Sequence, residues 1–437
     1  MGIKVAKFGG SSVADAIQIG KIKDIVCADQ DRRYVVVSAP GKRFDDDSKV
    51  TDLLYLCKTH IEHNLPHEQL FQVICDRFMA AEVTLGAKLD LKTEFKTIEN
   101  NMKNGASADY IASRGEYLNA KMIASYLDYD FIDAANIIVF NEKGKFKVDA
   151  TDKKIREVLK NHKTAVIPGF YGAMPGGKIK TFSRGGSDMT GALIARAMGA
   201  DVYENWTDVS GFLMADPRIV HDPKPIGTIS YKELRELSYM GASVLHEDAI
   251  YPARIANIPI NIRNTNRPQD EGTFITAKPD KFENRIITGI AGRKDFTAIT
   301  IYKSMLNNER GFVRRLASVL EDLDIPIEHM PSGIDTMSVI FTNESAADRL
   351  DEITEAFEKL LGPDHMEVSD DIALIATVGY GMNARTGVSA KLFTALAEAG
   401  VNIRMIDQGS SEMNIIVGVE NKDFDKSIKA IYKAFEK

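Results

Sequence analysis

Lys7-Phe8-Gly9-Gly10-Ser11-Ser12 sets a lysine at the end of an apolar run, directly before two glycines and two serines. Glycines let backbone N–H groups approach phosphate oxygens closely, and a lysine adds a positive point charge suited to phosphoryl transfer. The same six residues also describe a plain strand-to-helix turn with an exposed lysine, and no G-x-x-x-x-G-K-[ST] loop occurs in the chain. A second run, Ser183-Arg184-Gly185-Gly186-Ser187-Asp188, opens a stretch of helical periodicity. Small residues at a helix start leave N–H groups aimed at an anion, and Arg184 can clamp a carboxylate or phosphate. Asp188 is either a first-turn acid compensating the helix dipole or a carboxylate that orients substrate or lysine, or holds Mg²⁺. Trp206-Thr207-Asp208-Val209-Ser210-Gly211, leading to Ala215-Asp216-Pro217-Arg218, is a structural turn or a strand end that seats a nucleotide. Glu116, in Ser113-Arg114-Gly115-Glu116, opens another helical stretch, where an acid also compensates the dipole.

Other reactive types form no such set. His60, His63 and His67 lie near helical spacing, but Pro66 interrupts them and nothing completes a ligand group, so they read as a solvated surface. His246 beside Glu247 and Asp248 reads as structural, and no G-x-S-x-G or H-E-x-x-H pattern is present. Cys27, Cys57 and Cys75 make an odd set without a CxxC pair, as expected of buried thiols in a reducing cytosol.

The elements that must position these residues alternate. Apolar strand-like runs at 5–8, 34–38, 165–168, 202–205 and 258–262 are separated by helical patterns such as 118–126 and 190–198. Alternation of this kind predicts a mostly parallel sheet covered on both faces, with ligands bound beyond the carboxyl ends of the strands. Gly9-Gly10-Ser11, Ser38-Ala39-Pro40-Gly41, Gly169 and Thr207-Asp208 stand at the ends of the first four runs. Residues 264–293, rich in Pro, Gly and charge, read as a domain junction. Beyond it the chain repeats itself: shifting 310–341 by 76 positions lays Gly311 on Gly387, Leu316 on Leu392, Gly333 on Gly409 and Ile340 on Ile416 without a gap. Two copies of one small α+β module follow, each a strand, a helix, a hairpin and a second helix, with room for a last strand.

The chain of 437 residues carries 44% hydrophobic and 27% charged residues and a net charge of −7, a composition of soluble globular domains. It offers no basic field for nucleic acid or acidic lipid, and no apolar stretch long enough to span a bilayer. With no apolar leader after Met1, a cytoplasmic location is expected.

In combination and order, K-F-G-G-S-S-V (7–13), S-x-G-E (113–116), S-R-G-G-S-D (183–188), W-T-D-V-x-G (206–211) and A-D-P-R (215–218) resemble the aspartate kinases of the amino-acid kinase superfamily. The duplicated module resembles the pair of ACT domains with which that family senses an end-product amino acid. The resemblance implies an α/β fold, an amino-acid kinase domain with a mostly parallel open sheet over 1–275, and a linker over 276–292. Two α+β ferredoxin-like ACT domains follow at 293–370 and 371–437, free to interleave. It implies transfer of phosphoryl from ATP, with Mg²⁺ bridging the phosphates, to the β-carboxylate of aspartate, the entry to lysine, threonine and methionine synthesis. No metal site made by the protein alone is implied. Lys7, Phe8, Gly9, Gly10, Ser11, Thr207, Asp208, Leu213, Arg218 and Ser243 would hold ATP. Leu213 and Ser243 stand where relatives often carry tyrosine and lysine. Ser38, Thr51, Glu116, Arg184, Gly185, Gly186, Ser187 and Asp188 would surround aspartate, with Lys7 and Asp188 as catalytic residues. Met305, Arg310, Gly311, Phe312 and Glu328 would bind a lysine or threonine effector. A homodimer or homotetramer through the ACT domains is expected, and the length leaves no room for a fused dehydrogenase.

Overall fold

The computed structural model describes residues 2–183, 185–241, 245, 247–277, 285–383 and 385–436. They divide into two compact units, one comprising 1–212, 225–231 and 244–279 and the other 213–224, 232–243 and 280–437.

In the first unit the strands are β1 (Lys4–Phe8), β2 (Arg32–Val37), β3 (Asp130–Phe131), β4 (Ala165–Pro168), β5 (Tyr171–Ala173), β6 (Ile179–Thr181), β7 (Val202–Thr207), β8 (Thr228–Ser230), β9 (Ile260–Asn264) and β10 (Thr273–Thr276). Its helices are α1 (Ala16–Cys27), α2 (Val50–Glu62), α3 (Glu68–Leu85), α4 (Leu91–Lys103), α5 (Ala108–Leu127), α6 (Val148–Leu159) and α7 (Gly186–Met198). Helix α8 (Tyr231–Tyr239) crosses to the second unit, and α9 (Glu247–Ile255) belongs to the first.

The sheet runs β3-β4-β2-β1-β7-β9-β10-β8. Every pairing is parallel except β9 with β10. Val5, Ala6 and Phe8 of β1 and Tyr34, Val35, Val36 and Val37 of β2 are wholly buried, as continuous apolar strands covered on both faces must be. The chain leaves β1 toward β2 and β4, then returns to place β7 on the other side of β1. The order of strands therefore reverses between β1 and β7, where ligand crevices form in open parallel sheets.

The second unit holds β11 (Gly289–Tyr302), α10 (Phe312–Asp322), β12 (Thr336–Thr342), α11 (Asn343–Ala346), α12 (Leu350–Leu361), β13 (His365–Val378), α13 (Val388–Glu398), β14 (Met405–Asp407), β15 (Asn414–Glu420) and α14 (Phe424–Phe435). The 76-residue shift carries α10 onto α13 residue for residue, and both helices follow a glycine with positive φ, Gly311 at 77° and Gly387 at 87°. The sheet order is β12-β11-β13-β15-β14. β11 and β13 pair antiparallel along their length, from Gly289 with Val378 to Tyr302 with His365, and the register shifts between Arg293 and Ala298. The ends of these two strands thus serve different modules: 296–302 lies beside β12, whereas 372–378 lies beside β15. The two modules interlock through shared strands. Buried Leu316, Leu320, Ile353 and Phe357 fill the core of the first.

Two sequence expectations change. Cys57 and Cys75 are buried, but Cys27 is exposed at the end of α1, where the helix turns its last residue to solvent. His67 is buried just before α3, with ring nitrogens 3.9 Å from Glu68 and Glu99, rather than lying on a solvated face.

Candidate active site at the carboxyl edge of the sheet

Lys7 is the fourth residue of β1, beside Val36 of β2 and Asn205 of β7. Its stem is buried by the sheet, and its Nζ reaches Asp188 Oδ1 at 2.6 Å. Asp188 sits in the first turn of α7. That helix starts at Gly185, whose φ of 56° suits glycine and which has no side chain to cap the turn. The first N–H groups of α7 therefore stand available to an anion at the carboxyl edge. Asn205 Nδ2 also donates to Asp188 Oδ1, at 2.8 Å.

The loop after β1 is held from two sides. Gly9 N–H donates to the Trp206 carbonyl at 3.0 Å, and the Ser12 and Thr265 hydroxyls lie 2.8 Å apart. On the other side Gly41 N–H donates to the Gly10 carbonyl at 2.9 Å, an approach so close that a Cβ on Gly41 would stand 2.6 Å from the Gly10 carbonyl carbon. Arg77 of α3 ties this corner together: its guanidinium donates to the carbonyls of Ala14 at 2.9 Å, Ser48 at 3.0 Å and Gly41. Within the 41–50 loop Arg43 grips Asp47 through Nε and NH2, which with nearby Arg77 holds the Asp47 carboxyl well below the usual carboxylate range.

Facing these loops is α5. Gly115 lets the helix approach the segment after β2, since a Cβ there would stand 2.7 Å from Ala39 Cβ. Asn119 Nδ2 donates to the Ser38 carbonyl at 2.7 Å, while Ser38 N–H donates to the Phe8 carbonyl at 3.1 Å. Glu116 is buried one turn before Asn119; burial pushes its carboxyl up to about 8, against hydrogen bonding from backbone N–H groups. Its Oε2 has no hydrogen-bond partner. A buried, half-satisfied carboxyl is costly unless a donor arrives. Thr51, half-buried, is the second residue of α2.

Of the residues singled out from the sequence, Lys7, Phe8, Gly9, Gly10, Ser11, Ser38, Thr51, Glu116, Gly185, Gly186, Ser187, Asp188, Thr207 and Asp208 all belong to the first unit. Thr207 Oγ1 donates to Asp208 Oδ1 at 3.1 Å just past β7, with Asp208 exposed. Leu213 and Arg218 belong to the second unit; Leu213 is part-exposed, and Arg218 is paired with Asp216 at 2.6 Å. Arg184 and Ser243 lie outside the described residues. Of the effector set, Met305 and Gly311 adopt positive φ, Arg310 is exposed, and Phe312 is buried at the start of α10. Glu328 accepts a hydrogen bond from Tyr239, whose hydroxyl is pushed up to about 12, first by burial and then by that bond.

Sequence reasoning missed several supports. Asn205, Asn119, Gly41 and Arg77 carry no motif. Glu204 of β7 accepts from Trp206 Nε1 at 2.9 Å and from Arg32 Nε at 2.7 Å, a buried set near the carboxyl end of β7. The signal available was an arginine at the start of β2 and a glutamate within β7, since a buried charge demands a partner. Arg114 stands over the rings of Tyr110, Tyr117 and Tyr171 at 4.5, 4.4 and 5.4 Å.

The sequence profile of the amino acid kinase family matches residues 2–264, and that of an ACT domain matches residues 375–435. Aspartokinase 3 of Bacillus subtilis is 38% identical over 450 residues, covering 99% of this chain and 98% of that protein.

This chain belongs to the amino acid kinase family, in its aspartokinase branch.

The solved aspartate kinase of Clostridium acetobutylicum superposes with a TM-score of 0.94 at 51% identity, with both chains fully covered. Aspartokinase III of Escherichia coli, solved with aspartate and ADP, superposes at 0.72 with 25% identity over both full chains. The same enzyme solved with lysine and aspartate superposes at 0.75. As a member of this branch the chain is an aspartate kinase, a phosphotransferase with a carboxyl group as acceptor. Among the described residues no helix is long and apolar enough to cross a membrane.

Proposed function

We propose that the carboxyl edge between β1 and β7 transfers the γ-phosphoryl group of ATP to the β-carboxylate of L-aspartate, giving 4-phospho-L-aspartate. The observation that carries this reading is the Lys7–Asp188 pair, set between the Gly9-Gly10 loop and the uncapped start of α7. The nucleophile is already ionised near neutral pH, so no general base is needed; catalysis is positioning and charge stabilisation. Lys7 supplies positive charge to the transferring phosphoryl, with the backbone from Phe8 to Ser11 beside the phosphates. Asp188 orients Lys7 and the substrate. Thr207 and Asp208, with Leu213, Arg218 and Ser243, serve the nucleotide. Ser38, Thr51, Arg184 and the backbone of Gly185, Gly186 and Ser187 take the aspartate carboxylates, and the unpaired Glu116 oxygen takes its ammonium.

Among the described residues no group of three or more His, Cys, Asp or Glu side chains could hold a metal ion. Asp188 Oδ1 is already shared by two donors. Mg²⁺ enters as part of the substrate MgATP, where it would supply positive charge to the phosphate oxygens.

Regulation follows the same reading. Residues 1–275 form the catalytic part, 276–292 a linker, and 293–370 and 371–437 two interleaved sensor modules, which pair between subunits in a homodimer or homotetramer. Lysine binds the first module, with Met305, Arg310, Gly311 and Phe312 at its carboxylate side and Glu328 at an ammonium. Lysine bound to the Escherichia coli relative supports this choice over threonine. The enzyme acts in the cytoplasm, at the entry to lysine, threonine and methionine synthesis.

ADP release measured with aspartate, glutamate and N-acetylglutamate in turn, with and without lysine, tests the reading. Turnover with aspartate alone is expected, lost in Lys7→Ala by a fall in kcat far larger than any rise in KM for ATP. Turnover only with another acceptor would overturn it.

A further inference from the structure

β7 carries two faces. Glu204 and Trp206 turn to the Arg32 side, while Tyr203 and Asn205, two residues apart, turn to α7. Tyr203 and Asn205 together fix one residue of that helix. The Tyr203 hydroxyl donates to the Asp188 carbonyl at 3.2 Å, and the Asn205 amide donates to the Asp188 carboxylate at 2.8 Å. The helix comes this close because residue 191 is glycine; a Cβ there would stand 2.6 Å from the Tyr203 ring.

Asn205 shares its acceptor. Lys7, its register partner on the neighbouring strand, lies 2.6 Å from the same Oδ1. This geometry poses a conflict for the reading of Lys7 given above, on which the present inference rests. An ammonium held by Asp188 is partly neutralised. When it turns to the transferring phosphoryl group, Asp188 loses its cationic partner in a site where Lys7 and Asn205 are themselves buried. A carboxylate stripped of its partner in such a place draws the cation back unless another donor holds it.

We propose that Asn205 is a positioning residue that holds the Asp188 carboxylate in place while Lys7 is released to the phosphoryl group. A side-chain amide suits this task because it donates without carrying charge. It holds Oδ1 yet does not compete with Lys7 for the phosphates, and it has no proton to exchange near neutral pH. A leucine of similar volume would remove the donor and leave the strand–helix contact. An aspartate of the same shape would replace the donor by a second carboxylate and hold Lys7 back.

The test uses the full chain with Asn205→Leu and Asn205→Asp. Both are expected to lower kcat about 10- to 100-fold. The KM values for ATP and aspartate should stay within about three-fold, as for an interaction used only in the transition state. Asn205→Asp keeps the side-chain shape, so it reports even where the leucine variant folds poorly. A kcat within two-fold of wild type in the aspartate variant would overturn the proposal. So would a loss of thermal stability in which kcat falls and both KM values rise together, which is the signature of packing alone. Lys7→Ala and Asp188→Asn separate the two layers of argument: if either keeps full kcat, the assignment of the pair itself fails. If both are inactive and Asn205→Asp is silent, only the role of Asn205 fails.

Discussion

Glu116 is the residue whose environment makes the sharpest demand. Burial raises its carboxyl to about 8 from an ordinary value of 4.5, and Oε2 meets no donor. Without substrate the group is therefore protonated at neutral pH, and an ammonium placed against it would draw the proton off. Two outcomes follow from the sign of the shift. A raised folded-state value means that stability from the neutral carboxyl is fully present below about 4.5 and lost as pH rises through about 8. Glu116→Gln, neutral throughout, should flatten the decline of Tm across that window in the absence of substrate. In kinetics the same variant should raise KM for aspartate about 10-fold or more, the worth of one charge-assisted hydrogen bond. It should also abolish any fall of that KM with rising pH; a KM unchanged from wild type would remove Glu116 from the ammonium site. Lys7 and Asp188 could be picked out from the sequence as charged residues beside glycine or serine at a strand or helix end, whereas Glu116, expected to open a helix, lies inside α5 and takes its role from burial. Asn205 could not be picked out. A polar residue in the strand run Tyr203-Glu204-Asn205-Trp206 gives no spacing signal, and its task arises only from what α7 places opposite it.

At the scale of elements, the site depends on backbone segments that nearly touch. The loops after β1 and β2 meet at Gly10 and Gly41, and Arg77 reaches from α3 to three carbonyls around that junction. Gly41→Ala forces a Cβ to 2.6 Å from the Gly10 carbonyl carbon, so one loop must shift. The expected cost is about 1–3 kcal/mol of stability, read as a lowered Tm. Because the shifted segment is the one proposed to face the phosphates, kcat should fall as well. A variant with wild-type Tm and kcat would show the junction to be slack. The strands and their order of use were legible from apolar runs ending in Gly, Ser or Thr-Asp. The pairing of the β1 loop with the β2 loop was not, since it joins residues about 30 apart that share no pattern.

Across the whole molecule, the second unit shows how a repeat becomes a structure. The 76-residue period announces two modules, yet the modules do not separate at a point in the chain. Residues 289–293 of β11 pair with 374–378 of β13, next to β15, so the second module takes a strand from the amino-terminal end of the first. A fragment of residues 371–437 should therefore leave β13 with an open edge and show no cooperative thermal transition by circular dichroism, whereas 286–437 should. A cooperative transition in the shorter fragment would mean that the borrowed strand is dispensable. The sequence by itself determined the alternating α/β order and the existence of a duplicated module, because each rests on local periodicity, and its motifs in order carried the resemblance to the family. Only the tertiary structure decided that Lys7 and Asp188 pair, that Asn205 joins them, that Glu116 is sealed from water and that the modules share strands. The reason is physical: each of these depends on which distant segments the hydrophobic core brings into contact, and burial and charge pairing have no meaning until that contact exists.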